Sequence, residues 1–361
     1  MKPNLRNYTL EELKELMEKL GESSYRGDQI FHWITCKLAT SFEEMTDLTK
    51  NLRIKLSEKF SLALPQVINL EKDIDGTTKF ALKLVDENII ETVIIPERDH
   101  FTLCVSTQVG CPIGCKFCVT GKLGFKRNLE VYEIISQVVI AKRYLKEQQE
   151  KLPLRNIVFM GMGEPLLNLK NLIKTLKILA HPKGFNYSRK RLTVSTVGLL
   201  KEMKILAKEF PCALALSLHA PDDEIRKNLI PLAKKYSVKD LILACKNFPR
   251  IKNSRITIEY LIIKNINDSK ECAEKLVFLL KNYPFKVNLI PFNPHPLLPF
   301  ERPSEEEVEQ FQKYLLSHGI LTTVRKSKGL NIKAACGQLG ASFLDSLIPD
   351  SMDKKTAFRT G

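Results

Sequence analysis

Long apolar runs are missing. No stretch of the 361 residues approaches the roughly 20 consecutive apolar positions that a membrane-crossing helix requires. The opening MKPNLRNYTLEEL has no apolar stretch resembling a secretory leader. A soluble cytoplasmic protein with no membrane partner is therefore expected. Tryptophan is nearly absent. The single Trp33 falls among Tyr25, Ile30, Phe31 and Ile34 and reads as core, not as a stacking platform for bases. Acid is scarce beside base: 41 Asp and Glu against 56 Lys and Arg leave a net charge of +15. That excess suits a polyanion, because each cation near a phosphate releases counterions, although an inert basic surface has the same composition. Paired cysteines are lacking too. Nine cysteines, an odd number scattered over a long chain, argue against a disulfide framework. Cys212, Cys245 and Cys272 lie in apolar or helical settings and read as reduced core thiols. There is no internal repeat and no low-complexity segment.

What is present falls into four stretches. Residues 1–62 read as short helices. Thr9 and Glu12 form a Thr-x-x-Glu capping box, and Leu10, Leu13, Met17 and Leu20 follow on helical spacing. Ser41-Phe-Glu-Glu predicts another helix start. Residues 63–98 alternate apolar and polar positions around an Asp75-Gly76 turn, which predicts two or three antiparallel strands ending near Pro96. Over 99–345 strands alternate with helices. The strand candidates are 101–107, 155–161, 191–195, 212–218, 256–263 and 286–292. Between them, 129–146 shows a helical apolar face of Val131, Ile134, Ile135, Val138 and Val139. Six β–α units predict an α/β fold with a curved parallel sheet or partial barrel, whose chemistry sits at the C-terminal strand ends. Residues 346–361 read as a polar tail.

The first of those strand ends runs into Cys104-Val-Ser-Thr-Gln-Val-Gly-Cys111-Pro-Ile-Gly-Cys115-Lys-Phe-Cys118. Pro112 and Gly114 oppose regular structure and favour a loop curling round a metal. Thiolates are the usual ligands of iron–sulfur clusters, and three of them leave one iron of a four-iron cluster open. A structural zinc would need four ligands, and no second Cys-x-x-Cys pair exists, although Cys104 or Cys336 could complete the set.

Cys-x-x-x-Cys-x-x-Cys resembles the signature of the radical S-adenosylmethionine (SAM) superfamily. The segments CVSTQVGC, CVTGKLGF, GMGEPLLN, SLHAPDDEIR and AACGQL resemble one branch of it, the RNA adenine methyltransferases of the RlmN/Cfr type. The match runs from Tyr25-Arg-Gly-Asp-Gln-Ile-Phe31 to Leu339. It implies a partial (β/α)6 radical SAM barrel with a small helical N-terminal domain and an antiparallel β extension. It implies a [4Fe-4S] cluster on Cys111, Cys115 and Cys118, and two SAM molecules per turnover. Gly163, Glu164, Ser195, Ser217, Leu218, His219 and Asn293 match SAM contacts. Taken singly, Gly163 could simply end a strand and His219 could be a hydrogen-bonded strand-end histidine.

The resemblance also implies a covalent route. The Cys336 sulfur takes a methyl group from one SAM. A second SAM is cleaved to a radical that removes hydrogen from that methyl, and the resulting carbon radical adds to the adenine. Glu91 matches the base that takes the ring proton, although by pattern alone it could face outward from its strand. Cys104 matches the thiol that displaces Cys336 through a transient disulfide. The implied reaction is methylation at carbon 2 of an adenine in 23S rRNA and in tRNA beside the anticodon. Carbon 8 of 23S rRNA and a zinc-stabilised RNA-binding module are the alternatives. The implied partners are those RNAs and an electron donor such as flavodoxin or ferredoxin, with the chain acting as a monomer. Two positions depart from the pattern. Asn331 stands where an acid is usual, and Val119 is bulkier than the common small residue. Basic groups at Lys122, Lys126 and Arg127, at Lys183 and 189–191, at Lys234 and Lys235, and at Arg325, Lys326 and Lys328 suggest an electrostatic funnel for RNA.

Overall fold

The computed structural model describes residues 2–252 and 254–341, with Ala233 described by its backbone only. The expected tail, 346–361, lies outside the described residues.

The N-terminal unit is built on helices Leu10–Lys19, Tyr25–His32 and Lys50–Lys59. The capping box forms: Thr9 Oγ1 accepts from Glu12 N–H at 3.3 Å and Glu12 Oε2 accepts from Thr9 N–H at 2.7 Å. Leu10, Leu13 and Met17 bury against the core with Ile30, Phe31 and Ile34. Tyr25 departs from the expected cluster; it is 53% exposed, with Arg26 over its ring. Trp33 is half-buried and donates its indole N–H to Asp47 Oδ1 at 2.6 Å. The helix expected at Ser41 does not form. Glu44 folds back, its Oε1 accepts from the Thr40 and Ser41 N–H groups, and a turn closes. The next helix waits for Thr49, whose hydroxyl caps it through Leu52 N–H.

A ten-stranded sheet carries the rest. Its antiparallel portion comprises β1 (Gln66–Lys72), β2 (Thr78–Lys83) and β3 (Ile89–Pro96). β4 (Phe101–Cys104) pairs antiparallel with β3 and parallel with β7 (Leu154–Phe159), so the extension and the barrel share one sheet. A separate two-stranded ribbon, β5 (Gln108–Gly110) and β6 (Phe125–Asn128), clasps the two ends of the cysteine loop. The parallel run continues through β8 (Leu192–Thr196), β9 (Ala213–Ser217), β10 (Ile256–Ile262), β11 (Phe285–Pro291) and β12 (Leu321–Val324). The sheet order is β1-β2-β3-β4-β7-β8-β9-β10-β11-β12. Among the described residues β1 and β12 are edges, so the barrel stays open.

Six parallel strands were expected, and β12 makes a seventh. Its sequence, Leu-Thr-Thr-Val, is short and half of it is solvent-facing, so it lacks the apolar run that marks the others. β10 is the opposite case, buried at every position. Cys212, Cys245 and Cys272 are buried free thiols.

The chain leaves β4 through a polar node. Ser106 N–H donates to Gln137 Oε1 at 2.8 Å and Gln137 Nε2 donates to Ser106 O at 2.9 Å, fixing the strand exit to helix Val131–Glu147. Ser106 Oγ donates to Glu91 O, and Met162 N–H donates to Ser106 Oγ. All of these groups are buried. Replacing Gln137 with Leu leaves both Ser106 backbone groups unpaired and is expected to cost about 3 kcal/mol. The check is the denaturation midpoint by circular dichroism; an unchanged midpoint contradicts the node.

Candidate active site

The cysteine loop is shaped by its backbone. Cys111 N–H donates to Gly124 O and Cys118 N–H to Cys115 O. Cys111, Cys115, Cys118 and Phe117 line an inner chamber of about 170 Å³ with Gly163, Glu164, Ser195, Ser217, His219 and Glu259. Burial pushes the Cys111 thiol up to about 12 and raises those of Cys115 and Cys118. Thiols in such a place give up their protons readily only to a metal, whose charge offsets the desolvation. Among the described residues no group of three or more His, Cys, Asp or Glu is placed to hold a single ion. Three thiols that line one chamber suit an iron–sulfur cluster, whose usual ligands are thiolates.

The opposite wall comes from the strand ends. Gly163 has φ +100°, and a Cβ there would lie 2.5 Å from the Gln108 side chain, so glycine is required. Glu164 is buried. Its Oε2 accepts from Val197 N–H at 3.0 Å and its Oε1 from Leu166 N–H at 3.1 Å. Burial nevertheless lifts its pKa to about 7. Ser195 and Ser217, at the ends of β8 and β9, face each other with hydroxyls 3.2 Å apart. His219 has φ +58°, and its Nδ1 accepts from Leu261 N–H at 3.0 Å. Burial, then Arg226, holds its pKa down to about 3, so the ring is neutral and its Nε2–H is a donor. Leu218 is buried behind these groups and lines neither chamber; its carbonyl accepts from Arg226 Nε. Arg226 also donates to Val197 O at 2.6 Å and thereby ties the ends of β8 and β9 together.

An outer chamber of about 390 Å³ adjoins the inner one, lined by Cys104, Glu97, Asn293, Arg325, Lys326, Lys328 and Cys336. Cys118, Thr120, Met160, Gly161, Ile290, Arg325, Cys336 and Gly337 line both chambers. Cys336 is thus part of the partition. Asn293 belongs to the outer side, where its Nδ2 donates to Cys336 O at 3.2 Å and its Oδ1 accepts from Ser327 Oγ at 2.6 Å. Burial, then Cys336, pushes the Cys104 thiol up to about 12. The C-terminal segment is laced to the cluster loop by Val119 N–H to Gly337 O at 2.8 Å and Thr120 Oγ1 to Leu339 O at 2.7 Å. Gly337 has φ +83° and passes so close that a Cβ would sit 3.2 Å from Phe117 O.

Glu91 is 1% exposed and lines neither chamber. Its Oε2 accepts from Gly340 N–H at 2.7 Å, and its Oε1 lies 3.5 Å from Lys79 Nζ. Burial raises its pKa against the pull of Lys79.

Both departures from the family pattern have local partners. Asn331 Nδ2 donates to Asp73 Oδ1 at 2.7 Å, a bond an acid there could not give when ionised. Val119 is fully buried beside Ile113 and Cys115.

Sequence reasoning passed over Glu259 and Arg226, and took Arg325 only as one of a basic group. Glu259 accepts from Asn288 Nδ2 at 2.7 Å and burial raises its pKa. The available signal was a lone acid in the otherwise apolar β10. Arg325 closes β12, the unrecognised strand, and feels Cys336, Glu259 and Cys104.

The basic groups divide. Arg325, Lys326 and Lys328 line the outer chamber. Arg189, Lys190 and Arg191 precede β8, at the strand end opposite Ser195, so they do not belong to a funnel at the chamber mouth. Arg189 lies over Phe210 and Lys183 pairs with Asp28 at 2.8 Å. Arg127 is held by Asp86 and Glu133, which makes it a structural cation.

Residues 3–62 match the ribosomal RNA large subunit methyltransferase N-terminal domain, and residues 105–276 match the radical SAM superfamily. A dual-specificity RNA methyltransferase RlmN of Geotalea uraniireducens is 44% identical over 97% of this chain and 99% of its own length. Its namesake in Solidesulfovibrio magneticus is 45% identical over 94% of this chain and 96% of its own. The crystal structure of a radical SAM methyltransferase from Sphaerobacter thermophilus superposes with TM-score 0.89 at 43% identity, over 94% of this chain and 99% of that one. Among the described residues no helix is long and apolar enough to cross a membrane. With its sheet, its three-thiol chamber and these relatives in agreement, the chain belongs to the RlmN family of radical SAM RNA methyltransferases, enzymes that use a [4Fe-4S] cluster and SAM.

Proposed function

We propose that this enzyme methylates carbon 2 of an adenine in 23S rRNA and in tRNA beside the anticodon, with Cys336 as the methyl carrier. The observation that carries the reading is the position of Cys336 in the partition between the two chambers. A thiol there can receive a group from the inner side and present it on the outer side.

When bound, the cluster and SAM supply the methyl group and the one-electron cleavage chemistry. Cys111, Cys115 and Cys118 hold the iron. Gly163, Glu164, Ser195, Ser217 and His219 form the inner wall for SAM, Leu218 packs behind that wall, and Asn293 meets SAM from the outer side beside Cys336. A carboxylate at Glu164 suits the SAM ammonium, and the His219 Nε2–H suits an acceptor. On the outer side the methyl carbon on Cys336, having lost a hydrogen, bonds to the adenine ring. Glu91 takes the ring proton. Cys104, which shares the outer chamber, gives up its proton and attacks the Cys336 sulfur, so a disulfide forms, the carbon–sulfur bond breaks with its electron pair left on carbon, and that carbon takes up a proton to become the methyl group. The target adenine must be unstacked to enter. Arg325, Lys326 and Lys328 draw in the phosphates, and the helical unit 1–62 grips RNA beside the extension 63–98 and the barrel 99–345. The protein works in the cytoplasm as a monomer, reduced by a donor such as flavodoxin or ferredoxin.

Replacing Cys111, Cys115 or Cys118 with Ala is expected to abolish iron loading after anaerobic reconstitution. Full iron and sulfide in any of these variants would falsify the ligand set, and so would an unmodified protein that purifies anaerobically as a colourless zinc protein.

Cys104→Ala is expected to accumulate protein covalently joined to RNA, visible as a shifted band on a denaturing gel. Cys336→Ala, and the double variant, should give no such band. Normal turnover in Cys104→Ala removes Cys104 from the mechanism.

Lys326→Glu is expected to weaken RNA binding and lower the salt slope by about one or two. Lys190→Glu, at the far end of the barrel, serves as the control. Equal slopes for the two variants contradict the placement of the funnel.

A further inference from the structure

The base assigned above is not held by its strand alone. Three side chains line up across the antiparallel extension. Glu71 and Lys79 are register partners on β1 and β2, and Ala81 on β2 pairs with Glu91 on β3. Lys79 Nζ sits 2.8 Å from Glu71 Oε2 and 3.5 Å from Glu91 Oε1. It also donates to Ile332 O at 2.5 Å, in the segment that leads to Cys336. The Lys79 side chain is 2% exposed, so this ammonium has been placed among apolar strands at a desolvation cost. Glu91 Oε1 is buried without a hydrogen-bond partner, while Oε2 is bonded to Gly340 N–H. Lys79 is therefore the cation facing the open oxygen of the base and, at once, a tie to the methyl-carrier segment.

We propose that Lys79 is a positioning residue of the reaction: it holds the Glu91 carboxylate in place and joins it to the segment bearing Cys336, so that base and methyl carrier are set together. The proposal rests on Glu91 being the base. Among the described residues, the charged groups that act on Glu91 are Lys79 from β2 and Glu71 from β1. The barrel side presents the Met162 sulfur, which accepts from Glu91 N–H, and the Ser106 hydroxyl, and the C-terminal segment presents Gly340 N–H. Lys79 favours the ionised carboxylate and Glu71 opposes it. Variants on either side of Lys79 must then move the reaction in opposite directions.

The measurement is the decay rate of the protein–RNA adduct in a single turnover, followed across pH on quenched denaturing gels. Decay should rise with pH as the base ionises and then level off. Lys79→Met should move that limb to higher pH, and each unit of movement slows decay roughly tenfold on the acid side. Lys79→Arg, which keeps the charge, should restore most of the original limb. Glu71→Gln should move the limb to lower pH, because the competing anion is gone. Iron content and SAM cleavage, read alongside, should match the unmodified enzyme. If Glu91→Gln decays normally, the reading of Glu91 as the base fails. If Glu91→Gln is slow while Lys79→Met and Glu71→Gln leave the limb unmoved, Lys79 has no such role. Should Lys79→Met fail to load iron, Glu71→Gln decides alone, because glutamine keeps the size of Glu71 and an oxygen for the Lys79 ammonium: an unmoved limb overturns the proposal and a downward shift supports it.

Discussion

Two hydrogen bonds, from Val119 N–H to Gly337 O and from Thr120 Oγ1 to Leu339 O, hold the C-terminal segment against the cysteine loop. They bring residues more than two hundred positions apart into one wall. With the bonds from Asn293 Nδ2 to Cys336 O and from Gly340 N–H to Glu91, they set Cys336 against the inner chamber, Cys104 and Glu91. The lacing is possible because Gly337 takes a left-handed backbone and lets the segment pass close over Phe117. Its far end is tied by Gly340 N–H to Glu91. Cluster loop, methyl carrier and base thus share one short strap.

The strap needs a rigid frame, and the sheet supplies it. β3 pairs antiparallel with β4, so the extension continues the barrel wall instead of hanging from it. That pairing puts Val93 opposite Cys104 and leaves Glu91 two residues away on the same strand. The Ser106–Gln137 node then fixes where the chain leaves β4 for the cysteine loop. Polar groups buried this deeply are costly unless paired, and nearly every one near the loop is paired. Glu91 Oε1 is an orphan among them, and it faces Lys79.

Much of the frame was legible in the sequence because its signals are local. The Thr9 capping box, the Asp75-Gly76 turn and the apolar runs of β7 to β11 each follow from a few adjacent residues. The misses have physical reasons. Ser41 looked like a helix cap, but Glu44 turned back and used the same N–H groups for a closed turn. β12 is too short and too polar to announce itself, so Arg325 was read only as part of a basic group and not as a residue lining both chambers. The run at 189–191 looked like part of a funnel because charge in sequence does not say which end of a strand it occupies. Lys79 and Glu71 were invisible for a related reason: each is an ordinary charged strand residue until cross-strand register sets it beside Glu91. The cysteines and strand-end residues, in contrast, stood out by motif, and the structure shows how the chain gathers most of them round two adjoining chambers.

The central claim is that the methyl group reaches RNA by way of Cys336 and not directly. The most direct test is anaerobic turnover with SAM whose methyl group is fully deuterated, followed by mass spectrometry of the nucleosides from 23S rRNA and tRNA. Passage through Cys336 requires the methyl carbon to lose one hydrogen before it bonds to the ring and to regain one on release. The account predicts 2-methyladenosine that has kept all but one of the deuterium atoms. A methyl group that arrives fully deuterated, or label found at carbon 8, would contradict it.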